Sequence, residues 1–161
     1  MNDLIKIFIT DCDGCLTNGL FYYTDNGKQM KTFNCKDGLG LFLLRQAGIL
    51  TGIVSGDTGT RISRKRADDL NLDFEISGVK DKVSVIEKIL KENNINWSEV
   101  CYFGDDVNDL EVMKKSYLTF CPKDAHEKIL EISDVICKKS GGLGCVREAC
   151  DFILEMRENY E

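Results

Sequence analysis

Alternation of strand-like and helix-like segments constrains the fold of this chain more than any other feature. Apolar runs rich in β-formers predict strands at 4–10, 49–54, 73–76, 100–103, 117–120 and 134–137. Helical patterns separate most of these runs, and they predict helices at 36–47, 59–70, 80–93, 107–115, 124–131 and 145–157. This alternation favours a mostly parallel sheet with helices on both faces. We therefore predict an α/β fold, a Rossmann-like three-layer sandwich.

A β-hairpin is predicted between the first strand and the first helix, at about residues 19–34. Two β-like runs, 19–24 and 28–34, flank Asn26-Gly27, which is a strong hairpin signal. Apolar and aromatic residues occupy both faces of the hairpin: Leu20, Phe21, Tyr22, Tyr23, Met30 and Phe33. Because one hairpin cannot bury both faces within its own subunit, we expect it to form an oligomer interface.

Length and charge restrict the class of protein. The 161 residues suit a single domain, 1–161. A net charge of -6 argues against nucleic acid or an anionic membrane surface as the main partner. Apolar runs are all shorter than the roughly 20 residues of a membrane span, and the N-terminus does not resemble a signal peptide.

Eight cysteines are scattered along the chain, several of them inside strand-like runs. Without a secretory signal, we interpret them as buried, reduced thiols of a cytoplasmic protein rather than as a disulfide framework. Cys12 and Cys15 form a C-x-x-C pair, for which redox chemistry or zinc binding stays open as an alternative. Neither a second such pair nor a neighbouring histidine completes a zinc site.

Polar residues follow three of the predicted strands, at the point where each strand ends. Asp11 and Asp13 follow the first strand, Ser55 follows the second, and Asp105 and Asp106 follow the fourth. Ligands of open parallel sheets bind at the carboxyl ends of the strands, so we expect these side chains to converge. Clustered carboxylates suit a hard cation such as Mg²⁺. The simpler alternative for the first pair is an Asp-Gly turn capped by an aspartate.

Lys82 stands at the start of a predicted helix, where a cation is unfavourable for the helix dipole. This misplacement suggests a functional role, for which Lys80 is the nearby competitor. Asp106 and Asp109 stand at another helix start, where carboxylates are favourable in any case. Capping is therefore the alternative to a functional role for those two residues.

The motifs together resemble the haloacid dehalogenase superfamily of phosphotransferases. They are Asp11-x-Asp13-Gly-x-Leu-Thr17, Ser55-Gly56, Lys82 and Gly104-Asp105-Asp106-x-x-Asp109. Only about 20 residues separate the first motif from the next helix, so the hairpin replaces the inserted cap domain found elsewhere in the superfamily. The tail 141–148, Gly-Gly-Leu-Gly-Cys-Val-Arg-Glu, resembles that of the small, capless sugar-acid phosphatases in this superfamily.

This resemblance implies a Mg²⁺-dependent phosphatase that hydrolyses a sugar-acid phosphate through an aspartyl-phosphate. The first expectation for the substrate is 3-deoxy-D-manno-octulosonate 8-phosphate, a precursor in lipopolysaccharide biosynthesis. A nonulosonate 9-phosphate is the alternative, although Asp69 falls where some nonulosonate phosphatases carry a lysine. A non-catalytic domain linked to sugar-nucleotide synthesis and a response-regulator-like phosphoacceptor are the rivals from other classes.

The resemblance also assigns roles to the motif residues. Asp11 is expected to be the nucleophile, and Asp13 to be the general acid and then the general base. Asp11, Asp105 and the backbone carbonyl of Asp13 are expected to bind Mg²⁺. Lys82 is expected to balance the charge of the nucleophile and the phosphoryl group.

Further roles concern the substrate and the surroundings of the metal. Ser55 and Gly56 are expected to donate hydrogen bonds to the phosphate, and Asp106 and Asp109 to hold waters or the lysine. Arg66 is expected to reach the substrate carboxylate. Members of the resembled group form homotetramers in which hairpins and tails cover neighbouring active sites, and Arg147 is expected to act there in trans.

Overall fold

A six-stranded parallel sheet lies at the centre of the structure, a computed structural model that describes residues 4–27, 29–58 and 61–158. The strands, in chain order, are β1 Ile7–Thr10, β2 Tyr22–Tyr23, β3 Gln29–Met30, β4 Leu50–Val54, β5 Phe74–Ile76, β6 Val100–Phe103, β7 Leu118–Cys121 and β8 Val135–Ile136. The helices are α1 Cys35–Gln46, α2 Ile62–Asp69, α3 Lys82–Asn93, α4 Leu110–Met113, α5 Glu127–Ile132 and α6 Cys145–Glu158.

The order of strands in the central sheet is β5-β4-β1-β6-β7-β8, and every neighbouring pair is parallel. The predicted α/β fold with a mostly parallel sheet is therefore confirmed. The chain runs outward from β1 to β4 and β5, then returns to the other side of β1 and runs outward again through β6 to β8. The topological switch point thus lies at the carboxyl end of β1, where ligands of such sheets bind.

Two hydrophobic layers cover the sheet, because side chains along a buried strand alternate between its faces. In β1, Phe8 enters the layer formed with α1 and α6, whereas Ile7 and Ile9 enter the layer formed with α3 and α5. All four residues of β1 are buried, which explains why its sequence is a continuous run of β-formers rather than an alternating one.

Some element boundaries differ from the predictions. The first strand begins at Ile7 rather than at residue 4, and residues 59 and 60 of the predicted second helix lie outside the described residues. The predicted helix 107–115 is divided into a 3₁₀ turn, Val107–Asp109, and the short α4. The side chains of Asp106 and Asp109 cap that turn. The last helix before β8 begins at Glu127 rather than 124 because the imidazole of His126 caps it, accepting from the Lys128 amide.

The predicted hairpin is present, with shorter strands than its sequence suggested. β2 and β3 pair antiparallel, with Tyr22 opposite Met30. Five of its six apolar side chains are solvent-exposed, with Leu20 at 57%, Tyr23 at 67% and Met30 at 59%, whereas Phe33 is partly buried against the core. An interface on this surface stays a prediction, since the structure describes a single chain.

Cysteines are concentrated in the core. All eight are free thiols, and seven are buried, whereas Cys35 is exposed at the start of α1. Burial raises the pKa of every buried thiol, that of Cys137 to about 12. Cys12 and Cys15, the C-x-x-C pair, are both fully buried and are not bonded to each other.

Helix length sets one limit on membrane association. Among the described residues, no helix is both long enough and apolar enough to cross a bilayer.

Candidate active site

Three strand ends meet in one cleft at the switch point. Asp11 directly follows β1, Ser55 follows β4, and Asp105 lies two residues after β6. The cleft is lined by Asp11, Asp13, Phe21, Ser55, Gly56, Asp57, Asp105, Asp106, Val107 and Asn108. The structure therefore brings together six of the residues that sequence analysis singled out, and it adds Asp57, Asn108 and the hairpin's Phe21.

The loop after β1, residues 11–18, has a backbone that only glycine permits at one position. Gly14 has a φ of +83°, and a Cβ there would lie 1.9 Å from Oδ2 of Asp105. The turn directs the Cys12 amide to Oδ1 of Asp11 at 2.7 Å. The Asp-Gly step thus places the loop's backbone directly against the second carboxylate of the cleft.

Lys82 lies at the centre of the charged cluster. Its Nζ is 3.1 Å from Oδ2 of Asp11 and 2.7 Å from Oδ1 of Asp109. The ammonium is buried at the first position of α3, which Asp81 caps by accepting from the Ser84 amide. Burial acts to lower the pKa of Lys82, but attraction to the two carboxylates outweighs it and raises the pKa. Lys82, and not the exposed Lys80, is the lysine that contacts the carboxylates.

Asp109 is completely buried, and its carboxylate accepts four hydrogen bonds. Oδ1 accepts from Lys82 at 2.7 Å and from the hydroxyl of Tyr102 at 2.6 Å. Oδ2 accepts from the amides of Asp105 at 3.0 Å and Asp106 at 3.3 Å. Asp109 therefore orients the lysine and also fixes the loop that carries Asp105. Tyr102 was not anticipated, because the continuous apolar run of β6 predicts a buried strand but not what the Tyr102 hydroxyl contacts.

Asp11, Asp105 and Asp109 together fit a divalent cation. One carboxylate oxygen from each lies within 4.8 Å of the others. Burial, followed by repulsion between the carboxylates, raises the pKa of Asp11 to about 7 and that of Asp105 to about 8. A hard cation would relieve this repulsion. Because the oxygens of Asp109 already accept four hydrogen bonds, Asp11 and Asp105 are the better-placed ligands.

Asp13 forms an ion pair with a different lysine, Lys31. Its Oδ2 is 2.8 Å from Nζ of Lys31, and its Oδ1 accepts from the Thr17 hydroxyl at 3.2 Å. Lys31 also contacts Oδ2 of Asp57 at 2.6 Å. Burial acts to lower the pKa of Lys31, but hydrogen bonds to Asp13 and Asp57 raise it overall. Lys31 was not predicted as a site residue, because nothing in an exposed hairpin pattern marks one lysine as buried.

Arg66 lies beside the cleft. Its guanidinium is 5.4 Å from the centroid of the Phe33 ring, and it donates to the carbonyl of Asn34 at 3.3 Å. A neighbouring depression is lined by Lys31, Phe33, Arg61, Ile62, Lys65, Arg66 and Asp69. The structure thus places the predicted carboxylate ligand in a basic depression next to the cleft.

Arg147 and Asp106 contact other groups. Arg147 is on α6, where its Nε donates to Asp151 at 2.6 Å, and it does not line the cleft of its own chain. Whether it reaches a neighbouring subunit stays a prediction. Asp106 is exposed at the rim, and its side chain accepts from the Val107 amide at 2.7 Å.

The glycines of the tail pack on the loop after β1 of the same chain. The Gly142 amide donates to the carbonyl of Cys15 at 2.9 Å, and the Gly141 amide donates to Asp124 at 2.9 Å. A Cβ on Gly141 would lie 1.9 Å from the carbonyl oxygen of Gly14. The tail was predicted to act at a neighbouring subunit's site, and its contact with the loop after β1 of its own chain was not predicted.

Comparison with known proteins identifies the family. Residues 52–146 match the family of haloacid dehalogenase-like hydrolases. The chain belongs to this family. The resemblance inferred from the sequence motifs is thereby confirmed.

Curated relatives resemble the chain over nearly its whole length. The 3-deoxy-D-manno-octulosonate 8-phosphate phosphatase of Yersinia pestis is 32% identical over 157 residues, which are 98% of this chain and 83% of that protein. The enzyme of the same name from Escherichia coli K12 is 33% identical over 93% of this chain and 79% of its own length.

Solved structures agree with this family assignment. The 3-deoxy-D-manno-octulosonate 8-phosphate phosphatase of Moraxella catarrhalis, in complex with magnesium, phosphate and KDO, superimposes with a TM-score of 0.90 at 34% identity, over 96% of this chain and 92% of that one. The Yersinia pestis phosphatase superimposes with a TM-score of 0.93 at 31% identity, over 98% of this chain and 88% of its own.

Proposed function

We propose that this hydrolase is a Mg²⁺-dependent phosphatase of a sugar-acid phosphate, with 3-deoxy-D-manno-octulosonate 8-phosphate as the first substrate. The observation that carries the proposal is the meeting of Asp11, Lys82 and Asp105 at the switch point, with Asp13 on the same cleft wall. Membership of a hydrolase family and phosphatase relatives support the class of phosphoric monoester hydrolase. The substrate is proposed because the relatives and the solved neighbour carry that name.

Phosphoryl transfer begins at Asp11. An Oδ of Asp11 attacks phosphorus in line, the bond from oxygen to phosphorus forms, and the ester P–O bond breaks. Asp13 gives its proton to the departing sugar oxygen, which leaves as an alcohol. Lys82 holds the Asp11 carboxylate at 3.1 Å and offsets the negative charge that accumulates there.

Hydrolysis of the aspartyl-phosphate then restores the enzyme. Asp13, now a carboxylate, takes a proton from a water molecule as that water attacks phosphorus, and the bond to Asp11 breaks. Asp11 and Asp105, with the backbone carbonyl of Asp13, would hold Mg²⁺, which supplies charge neutralisation for the nucleophile and the phosphoryl oxygens. Ser55 and Gly56 line the cleft, and in this proposal the Ser55 hydroxyl and the Gly56 amide would donate hydrogen bonds to the phosphate.

An oligomer belongs to the same proposal. The exposed apolar side chains of the hairpin, among them Leu20, Tyr23 and Met30, would be covered in a homotetramer in which the hairpin borders a neighbouring active site. Arg66 would bind the substrate carboxylate from the basic depression, and Arg147 would act at a neighbouring subunit's site.

Phosphate release from a panel of sugar phosphates, with and without Mg²⁺, tests the proposal. The panel contains 3-deoxy-D-manno-octulosonate 8-phosphate, a nonulosonate 9-phosphate and simple hexose phosphates. We expect Mg²⁺-dependent turnover of the eight-carbon acid, and a loss of at least about 10³-fold in kcat for Asp11→Asn. Asp68→Asn, an exposed aspartate of α2 outside the cleft, is the matched control and should retain full activity.

The outcomes separate the parts of the proposal. A preference for the nine-carbon substrate would contradict the substrate assignment alone. Full activity of Asp11→Asn, or the absence of phosphate release from any phosphoester, would contradict the mechanism.

A further inference from the structure

Lys31 is a buried cation shared by two carboxylates. Its Nζ lies 2.8 Å from Oδ2 of Asp13 and 2.6 Å from Oδ2 of Asp57. The side chain of Lys31 has 0% of its surface exposed, against 22% for that of Asp13 and 11% for that of Asp57. The ring of Phe21, whose centroid is 4.8 Å from Nζ, covers the ammonium on another side. Removing one member of a buried ion pair destabilises a protein, because the other charge is left buried without a partner.

The contacts of Lys31 join three separate segments. Lys31 directly follows β3 in the hairpin, Asp13 belongs to the loop after β1, and Asp57 belongs to the loop after β4. The Asp57 amide donates to Oγ of Ser55 at 3.2 Å, so this last loop is also the one proposed to bind phosphate. One ammonium thus links the hairpin to both loops of the cleft.

The carboxylate of Asp13 is held from both of its oxygens. The Thr17 hydroxyl donates to Oδ1 at 3.2 Å, and Lys31 donates to Oδ2 at 2.8 Å. Thr17 is four residues from Asp13 and belongs to the same loop, whereas Lys31 belongs to the hairpin. Of the two contacts, the one from Lys31 therefore fixes the direction of the Asp13 carboxylate relative to the rest of the cleft.

We propose that Lys31 is a positioning residue for the acid–base step, which holds the Asp13 carboxylate in the direction needed to reach the leaving oxygen. The inference rests on the proposed phosphatase function and extends it to a residue outside the four sequence motifs. Lys31 is 8% exposed as a residue, but its side chain is 0% exposed, so its ammonium acts through Asp13 rather than on the substrate. Displacement of a catalytic group by about 1 Å lowers rates by up to about 10²-fold, so the contact matters for catalysis.

A test follows from the chemistry of the leaving group. A sugar alkoxide is strongly basic and needs a proton from Asp13 as the P–O bond breaks. p-Nitrophenolate is weakly basic and leaves without one. For both substrates kcat/KM reports the steps up to formation of the aspartyl-phosphate, before Asp13 acts as a base. A displaced Asp13 therefore lowers kcat/KM for the sugar phosphate and largely spares kcat/KM for p-nitrophenyl phosphate.

The experiment measures kcat/KM of both substrates for Lys31→Met, which keeps an unbranched side chain only one atom shorter and removes the charge. We expect a decrease of roughly 10- to 100-fold for the sugar phosphate and of less than about 3-fold for p-nitrophenyl phosphate. Lys114→Met, which removes an exposed lysine paired with Glu111, is the matched control and should alter neither value. In an Asp13→Asn background, Lys31→Met should cause no further loss with the sugar phosphate.

Each outcome has a defined meaning. An equal decrease for the two substrates, or an additive loss in the double variant, shows a merely structural role and overturns the proposal. Unchanged values for both substrates overturn it as well. Lys31→Gln, which keeps a hydrogen-bond donor without the charge, provides the same comparison if Lys31→Met does not fold. Failure of the proposed function itself would be visible separately, as a wild-type protein that releases no phosphate from the sugar-acid phosphate.

Discussion

Gly141 offers a strong test of the architecture, because its substitution by alanine should reach the catalytic loop from a distant part of the chain. A Cβ at this position would lie 1.9 Å from the carbonyl oxygen of Gly14 and 2.9 Å from that of Thr17. Both atoms are backbone atoms, so no side-chain rotation can relieve the contact. Gly141 itself does not have a positive φ, so the alanine would fit its own backbone and the clash would be the whole effect.

The size of the effect follows from these distances. Real Cβ atoms essentially never approach another heavy atom closer than 3.0 Å, so the tail and the loop must separate by at least about 1.1 Å. The displaced carbonyl belongs to the residue after Asp13. A shift of about 1 Å at a catalytic group lowers the rate by up to about 10²-fold, and overpacking costs about 1–3 kcal/mol of stability. We therefore expect Gly141→Ala to lose both activity and stability.

Phosphate release and urea denaturation of the same preparations distinguish the two effects. Gly48→Ala is the control, since Gly48 has a φ of +80° and open space around its Cβ position. That variant should lose about 1–2 kcal/mol from left-handed backbone strain and keep its kcat. A Gly141→Ala enzyme with wild-type kcat, or a loss in kcat that Gly48→Ala matches, would refute the reasoning.

Two further predictions concern the carboxylates. Asp109→Asn should reduce the attraction that holds Lys82. We expect kcat to fall about 10- to 100-fold in a turnover assay, and the free energy of unfolding to fall by about 1–3 kcal/mol in urea denaturation. An unchanged kcat would contradict the orienting role of Asp109. The raised pKa values of Asp11, about 7, and Asp105, about 8, mean that the folded metal-free protein binds more protons than the unfolded chain between about pH 4 and 8. The stability of the metal-free protein should therefore fall as the pH rises through this window, and Mg²⁺ should raise the Tm more at pH 8 than at pH 6. Thermal unfolding with Mg²⁺ or EDTA measures both effects. A larger Mg²⁺ effect at pH 6 than at pH 8 would contradict the assigned cation site.

Residues at the strand ends were predictable because local pattern and general topology agree there. Asp11, Ser55 and Asp105 each follow an apolar run, and parallel sheets bring such ends to one edge. Lys82 was predictable from a charge in an unfavourable place, at the start of a helix. The general rules of sheet topology were enough to predict that the strand ends converge, whereas the choice of Lys82 over Lys80 and the role of each residue came from the resemblance to the haloacid dehalogenase superfamily.

Other parts of the site depend on how distant segments approach each other. Lys31 contacts Asp13 and Asp57, which are 18 and 26 residues away in the chain, and no local pattern encodes how the hairpin approaches those two loops. Gly141 touches the loop after β1 across more than 120 residues of chain. The boundary of α4 was mispredicted for a different, local reason, since capping by Asp106 and Asp109 tightens the first turn into a 3₁₀ turn.

The distribution of the cysteines allows thiol labelling to report where the folded chain opens. Cys35 is the one exposed thiol, whereas six buried thiols lie in the layer of α1 and α6, and Cys121 lies in the opposite layer. A thiol-alkylating reagent should therefore label the native chain once and rapidly. Further labels would be added only as the layers separate, and the order of labelling would show which face of the sheet opens first.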